Sequence, residues 1–202
     1  MASSLFADLH RPGTPLVMPN PWDAGSAVML KAMGFHALGS TSAGAAFAAG
    51  RAEGTLSLTE MLDAAQAVTE ASGLPVSADL ENGGGATPED AENAIRQAAE
   101  RGLAGALIED CGPGVTIYPL ATSIERIDAA VAAAKETGVV LTARAEGLQG
   151  AAPESADICT RIRAFAQAGA EVVFAPGLTD AEMLRDVVEA ADGPPVSVIL
   201  GA

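Results

Sequence analysis

A short phrase recurs along this chain: a glycine, one or two further residues, then an apolar run. It stands at Gly34-Phe35-His36-Ala37-Leu38, Gly73-Leu74-Pro75-Val76, Gly102-Leu103-Ala104-Gly105-Ala106-Leu107-Ile108 and Gly138-Val139-Val140-Leu141, and again at Gly169-Ala170-Glu171-Val172-Val173-Phe174 and Gly193-Pro194-Pro195-Val196-Ser197-Val198-Ile199. Glycine just past a helix accepts the left-handed conformation that ends it, and a short apolar run that follows reads as a buried strand. Ahead of these glycines lie stretches with helical apolar spacing, such as Met61-Leu62-Ala65-Val68 and Ile127-Ala130-Val131-Ala134. Helix starts are marked too: Ser57 with Glu60, Thr122 with Glu125, and Thr179 with Glu182 each fit a capping box. Thr87-Pro88-Glu89-Asp90 offers an N-cap, a proline in the first helical position and acids in the first turn. The pattern predicts a short leading helix over Ser4–His10, a lead strand at Leu16–Met18, then six further strands with a helix between each consecutive pair. Alternation at intervals of about 30 residues means right-handed βαβ units and a parallel sheet.

Two α/β architectures compete, an open doubly wound sheet and a (β/α)8 barrel of the TIM type. A dinucleotide-binding sheet carries a glycine fingerprint after its first strand, whereas here the lead strand runs into Pro19-Asn20-Pro21-Trp22-Asp23-Ala24-Gly25. Polar residues end nearly every strand instead of clustering at one switch point, which favours the barrel. No linker or charge run divides residues 1–202, so a single barrel domain is expected. Barrels usually need about 250 residues, and the 202-residue sequence reaches Leu200-Gly201-Ala202 right after the last predicted strand. The expectation is a barrel lacking its last helices and eighth strand, with hydrophobic edges that a partner would have to cover.

Composition narrows the partners. Hydrophobic residues make up 49% of the chain but aromatics only 3%, so Ala, Val, Leu and Ile must fill the core. A formal net charge of −15 argues against nucleic acid or an anionic membrane surface as a partner, and means that an anionic ligand needs a local cation. No run approaches the roughly 18 apolar residues of a membrane span and no leader pattern is present, so a cytoplasmic protein is expected. Cys111 and Cys159 give neither a disulfide framework nor metal-ligand spacing.

The strand ends hold the candidate chemistry. Val76-Ser77-Ala78 runs into Asp79-Leu80-Glu81, Ala106-Leu107-Ile108 into Glu109-Asp110, and Val140-Leu141-Thr142-Ala143 into Arg144-Ala145-Glu146. Asn20, Trp22 and Asp23 follow the lead strand, and Ser40, Thr41 and Ser42 follow the next, with Arg51 and Glu53 in the loop beyond. Alternation in a strand puts Asp79 and Glu81 on one side. With Glu109 they make an oxygen-rich set suited to Mg²⁺ or Mn²⁺, since clustered like charges are costly without a cation. Taken singly, each acid is read equally well as a solvated strand end or a helix cap.

These segments resemble the isocitrate lyase / phosphoenolpyruvate mutase superfamily. The resemblance is carried, in the family's order, by Pro15-Leu16-Val17-Met18-Pro19-Asn20-Pro21-Trp22-Asp23-Ala24, Gly39-Ser40-Thr41-Ser42, Ala78-Asp79-Leu80-Glu81-Asn82-Gly83-Gly84-Gly85, Ile108-Glu109-Asp110, Ala143-Arg144-Ala145-Glu146 and Phe174-Ala175-Pro176-Gly177-Leu178. It implies a (β/α)8 barrel that makes or breaks C–C or P–C bonds in 2-oxo acids, and a homo-oligomer, dimer or tetramer. It further implies Mg²⁺ on Asp79, with Glu81, Glu109 and Glu53 as the supporting acids. Ser40 and the Thr41/Ser42 backbone correspond to the carboxylate and oxyanion contacts, and Arg144 to the clamp on the substrate carboxylate.

The departures bear on the reaction. The family's lyases carry a Lys-x-Cys-Gly-His segment whose cysteine is the acid/base. Here Asp110-Cys111-Gly112-Pro113-Gly114-Val115-Thr116-Ile117-Tyr118-Pro119-Leu120 has neither the lysine nor the histidine, and the long gating loop of the phosphonate enzymes is missing. The expected activity is a carbon–carbon lyase or decarboxylase acting beside the carbonyl of a small 2-oxo or oxalo carboxylate through an enolate. P–C chemistry and a catalytically silent carboxylate-binding member are the alternatives. Cys111 lacks a basic neighbour and reads as a quiet, partly buried thiol. Cys159 reads as core, and His10 and His36 as structural. Trp22 either walls the pocket or packs in the core, and Gly83-Gly84-Gly85 either presents amides to an anion or is a turn ahead of the Thr87 cap.

Overall fold

The computed structural model describes residues 2–11, 13–147, 155–178 and 180–199. The described helices are α1 (Ala2–Leu9), α2 (Ala24–Ala32), α3 (Ser42–Ala48), α4 (Leu58–Ser72), α5 (Pro88–Glu100), α6 (Leu120–Thr137), α7 (Ser155–Ala168) and α8 (Ala181–Ala191). The strands are β1 (Leu38–Gly39), β2 (Val76–Asp79), β3 (Gly105–Glu109), β4 (Cys111–Gly112), β5 (Thr116–Ile117), β6 (Val140–Arg144), β7 (Val172–Phe174) and β8 (Val196–Ser197). A six-stranded sheet of order β1-β2-β3-β6-β7-β8 is parallel throughout, and each of its strands falls on one of the glycine-led apolar runs. Gly73 and Gly138 sit as left-handed caps at the ends of α4 and α6.

The lead segment departs from expectation. Residues 16–18 form no strand. Among the described residues one backbone bond ties the segment to the sheet, from the Gly39 N–H to the Pro19 carbonyl at 3.1 Å. Pro15, Pro19 and Pro21 supply no N–H for a ladder, which accounts for the loss of pairing. A two-stranded antiparallel ribbon, β4 with β5, interrupts the βα alternation straight after Glu109. Its strands are too short to leave a periodic signal.

Caps follow the sequence in two of four places. Ser57 and Thr87 close capping boxes with Glu60 and Asp90. At α6 the helix has already begun at Leu120, after Pro119 and without a side-chain cap, so Thr122 lies inside the first turn. Thr179 lies outside the described residues; Asp180 caps α8 by accepting from the Glu182 and Met183 N–H groups.

The main core lies between the sheet and helices α4 to α8, filled by small aliphatic side chains. A second cluster closes the amino end of the strands, where Phe6 of α1 packs with Ala37, Ala104, Val140 and Val172. Its fit requires glycine at position 105, because a Cβ there would stand 2.7 Å from Phe6 Cε1. His10 holds this plug in place, edge-on to the Phe6 ring at 4.8 Å and with Nδ1 3.0 Å from the Phe6 carbonyl, a structural role. No helix among the described residues is long and apolar enough to cross a membrane. The expected consequence of Phe6→Ala is a loss of about 3 kcal/mol of stability, read from urea unfolding midpoints.

Candidate active site at the carboxyl ends of the strands

Register assembles the site. Glu109 and Arg144 are paired residues of neighbouring strands β3 and β6, and Arg144 is in turn paired with Phe174 of β7. The Arg144 guanidinium lies over the Phe174 ring, 5.3 Å from its centroid, where the ring face favours a cation. Arg144 Nε donates to Glu146 Oε2 and stands 3.6 Å from Glu109 Oε2. Nε carries both contacts, so among the described residues the two Nη nitrogens are left for a ligand. Burial pulls the Arg144 pKa down, but the bond to Glu146 and the charges of Glu146, Glu109 and Asp79 outweigh it and raise it.

Asp79 closes β2. Its Oδ2 accepts from the Ser42 N–H at 3.1 Å and the Ser42 hydroxyl at 2.9 Å, while its own N–H donates to Ser40 Oγ at 2.9 Å. Thr41 caps α3 by accepting from the Gly44 N–H. The strand stops at Asp79, so simple alternation does not place Glu81. Glu81 instead adopts a left-handed conformation, φ 51°, and its N–H reaches Asp79 Oδ1 at 3.3 Å. Burial raises the Glu81 pKa, and the nearby Asp79 charge raises it further, with a smaller push from Glu53. Glu53 itself is exposed, in a loop held by the Arg51–Glu60 ion pair at 2.6 Å.

Glu109 is the most perturbed carboxyl. Burial pushes it up to about 7, and the Arg144 charge only partly opposes that. Its Oε1 accepts from the Cys111 thiol at 3.2 Å, and burial next to this carboxyl raises the Cys111 pKa, so the thiol stays protonated. Cys111 is therefore quiet, as expected, and Cys159 packs against the core.

The structure brings together Asp79, Glu81, Glu109, Arg144, Ser40 and Ser42, and leaves other predicted residues at the margin. Asn20 lies across the end of β1, donating to the Gly39 carbonyl at 3.0 Å. Asp23 caps α2 through the Ser26 N–H at 2.7 Å, and Ser26 closes the box. Trp22 is 56% exposed and so is not core. It walls a crevice of about 10 Å³ lined also by Ser40, Thr41, Ser42 and Asp79. A larger open groove of about 480 Å³ on its other side is lined by Thr41, Gly44, Phe47 and Ala48, and neither lining includes Arg144 or Glu109. The Gly83–Gly85 stretch is a turn leading to the Thr87 cap, with the Gly84 N–H bonded to Asn82 Oδ1 at 3.1 Å.

Just behind lie Asp110, which the sequence placed with Glu109 at the strand end, and residues that pattern reading passed over. Asp110 is buried and bonds Arg161 of α7 at 3.1 Å. Tyr118, at the exit of the ribbon, accepts from Asn82 Nδ2 at 3.1 Å and carries the buried Arg126 over its ring at 4.8 Å. The signal available was position: Arg161 sits three residues after Ile158 and four before Phe165, on the face of α7 that fills the core.

Among the described residues no three His, Cys, Asp or Glu side chains converge into a direct metal cage. The donor set nevertheless fits a hard cation that keeps most of its waters and takes one or two carboxylates. The Asp79 charge acts on both Glu81 and Glu109, the Arg144 charge opposes it at both, and burial holds Glu81 and Glu109 toward their neutral forms. A stability test follows. An acid with a folded pKa above its unfolded value binds its proton more firmly in the native state, so stability falls as pH rises through that interval. For metal-free protein the urea midpoint should decline between pH about 4.5 and about 7 and level off above it. Glu109→Gln should remove most of that decline.

A sequence model of the family described as phosphoenolpyruvate phosphomutase matches residues 6–202. The 2-methylisocitrate lyase of Escherichia coli K12 is 28% identical over 207 residues, covering 92% of this chain and 69% of the lyase. Among solved structures, a Burkholderia cenocepacia J2315 protein provisionally classed as a lyase/mutase is 43% identical, with TM-score 0.94 over 99% of this chain and 73% of that one. The 2,3-dimethylmalate lyase of the PEP mutase/isocitrate lyase superfamily is 31% identical, with TM-score 0.87 over 98% of this chain and 71% of that one. On a family match that spans nearly its whole length, the chain belongs to the phosphoenolpyruvate phosphomutase family, within the isocitrate lyase/PEP mutase superfamily.

Proposed function

We propose that this protein is a Mg²⁺-dependent carbon–carbon lyase or decarboxylase that acts beside the carbonyl of a small 2-oxo or oxalo carboxylate. The observation that carries the reading is the Arg144 guanidinium, fixed through Nε to Glu146, with no acceptor on its Nη nitrogens among the described residues, beside three partly buried carboxylates. Arginine grips a carboxylate through two parallel bonds, which fixes the substrate's orientation. Asp79 would hold the cation (Mn²⁺ could replace Mg²⁺), and Glu81 and Glu109 would hold its waters. When bound there, the cation polarises the 2-oxo group and stabilises charge left by the departing bond.

The chain's own residues do the rest. Ser40 Oγ already accepts from the Asp79 N–H, so its hydroxyl proton is free to donate to a substrate oxygen. Glu109, pushed up to about 7, can hold or release a proton at neutral pH. Glu53, in its exposed loop, can approach from above. The family relatives support C–C cleavage: the two named lyases act on branched acids, 2-methylisocitrate and 2,3-dimethylmalate. Isocitrate-type cleavage through a reactive cysteine is not proposed, because the Cys111 thiol is buried and donates to the Glu109 carboxyl, and both hold it in its protonated form.

The same reading takes residues 1–202 as one domain of a (β/α)8 barrel that works in the cytoplasm as a homo-oligomer. The purified protein should release pyruvate or oxalate from oxaloacetate in a Mg²⁺-dependent way; 2-methylisocitrate and 2,3-dimethylmalate, which carry a 2-hydroxyl in place of a 2-oxo group, and phosphonopyruvate are assayed beside it. Asp79→Ala should lower that turnover by about 100-fold or more, and Arg144→Lys should raise KM. Turnover that persists in chelator or in Asp79→Ala would sink the proposal. Mg²⁺-dependent stabilisation by these acids without turnover would point to a carboxylate-binding member instead, and phosphonopyruvate as the sole substrate to P–C chemistry.

A further inference from the structure

The two acids that end β3 have separate fates. Glu109 faces the site, whereas Asp110 is 2% exposed and points into the protein. Asp110 Oδ2 accepts from Arg161 Nη1 at 3.1 Å, and its Oδ1 accepts from the backbone N–H of Glu146 at 2.9 Å. Glu146, also buried, takes Nε of Arg144. The same Nη1 of Arg161 donates to the Tyr118 carbonyl at 3.1 Å and to Ser123 Oγ at 3.3 Å, and Arg161 Nε to Asp157 Oδ2 at 2.7 Å. One planar side chain from α7 thus ties the end of β3, the exit of the ribbon and the first turn of α6, and through Asp110 it reaches the turn after β6.

We infer that Arg161 is a positioning residue for Arg144: by holding Asp110, it fixes the Glu146 backbone and so the carboxylate that aims the Arg144 guanidinium. The inference rests on the proposed reading of Arg144 as the clamp on a substrate carboxylate. Stability alone is a poor reason for this arrangement, since a buried ion pair is often no better than well-packed apolar groups of equal volume. What the pair supplies is direction. Asp110 has two oxygens and spends one on the cation and the other on the peptide that carries Glu146. An aliphatic side chain at 161 fills the space without orienting either. Arg161 does not line the site, so its effect on a ligand runs through Glu146 and Arg144.

The test compares wild type with Arg161→Met and Arg161→Lys. Oxalate, a planar dicarboxylate, is titrated calorimetrically in Mg²⁺, Mg²⁺ is titrated alone, and the Arg144 Nε–H resonance is followed by NMR. Arg161→Met should weaken oxalate binding about tenfold or more, leave Mg²⁺ affinity unchanged, and shift the Arg144 resonance. Arg161→Lys keeps a charge opposite Asp110 but cannot span all four acceptors, so it should fall between the two. Should Arg161→Met fail to fold, Arg161→Lys carries the same test. Wild-type oxalate affinity in the folded variants overturns the inference, and so does a parallel loss of Mg²⁺ and oxalate affinity, the mark of general loosening. Failure of the carboxylate reading looks different: wild type then binds no oxalate, while the Arg144 resonance still moves in Arg161→Lys.

Discussion

The site depends on one half-buried positive charge. Arg144 stands beside Glu109 and Glu146 with Asp79 near enough to raise its pKa, and the Phe174 ring forms its floor. At the low effective dielectric of such a place, like charges a few ångströms apart repel strongly. The Arg144 charge favours the ionised forms of Glu81 and Glu109. Even with it they do not balance, since burial outweighs the arginine at Glu109 and drives that pKa to about 7. The imbalance is chemically useful. It leaves a carboxyl that exchanges its proton near neutral pH beside one fixed guanidinium, whose outer nitrogens meet no acceptor among the described residues.

Parallel register makes that arrangement possible. Adjacent parallel strands advance together, so residues paired across them project from one end of the sheet. Glu109, Arg144 and Phe174 are such partners across β3, β6 and β7. At the neighbouring pair the Ser40 and Ser42 contacts to Asp79 continue the row beyond β1 and β2. Each βα unit contributes one or two polar groups where its strand ends, and the helices behind hold those ends in line through a core of small side chains.

Much of this was legible in the sequence because the relevant signals are local. The glycine that ends each helix and the apolar run after it mark the six sheet strands, and the polar residues closing those runs mark Asp79, Glu109 and Arg144. The errors fall where local signals compete or vanish. Apolar residues at Leu16–Met18 suggest a strand, but flanking prolines withhold the hydrogen bonds a ladder needs. Thr122 and Glu125 have the spacing of a cap, yet Pro119 starts the helix a turn earlier. The Asp110–Arg161 pair was hidden for another reason: charged residues are usually solvated, and only tertiary contact shows that these two are not.

Glu81 shows how strongly function weighs on this turn. It holds φ 51°, a conformation that costs an ordinary L-residue about 1–2 kcal/mol and glycine almost nothing. Glycine is freely used in the same turn, at Gly83 and Gly84 with φ 77° and 85°, so the backbone there could have been relaxed at residue 81 as well. The strained conformation is held by the sheet, through the Glu109 N–H to the Glu81 carbonyl at 2.9 Å, and by the Glu81 N–H on Asp79 Oδ1. Burial and the charge of Asp79 add to the cost by raising the carboxyl's pKa. A fold selected for stability alone would place glycine or asparagine there. The carboxylate stands two residues past Asp79, the aspartate that closes β2, and is held there against both backbone strain and charge repulsion, so the turn is shaped around the Asp79–Glu81 pair and not around its own stability.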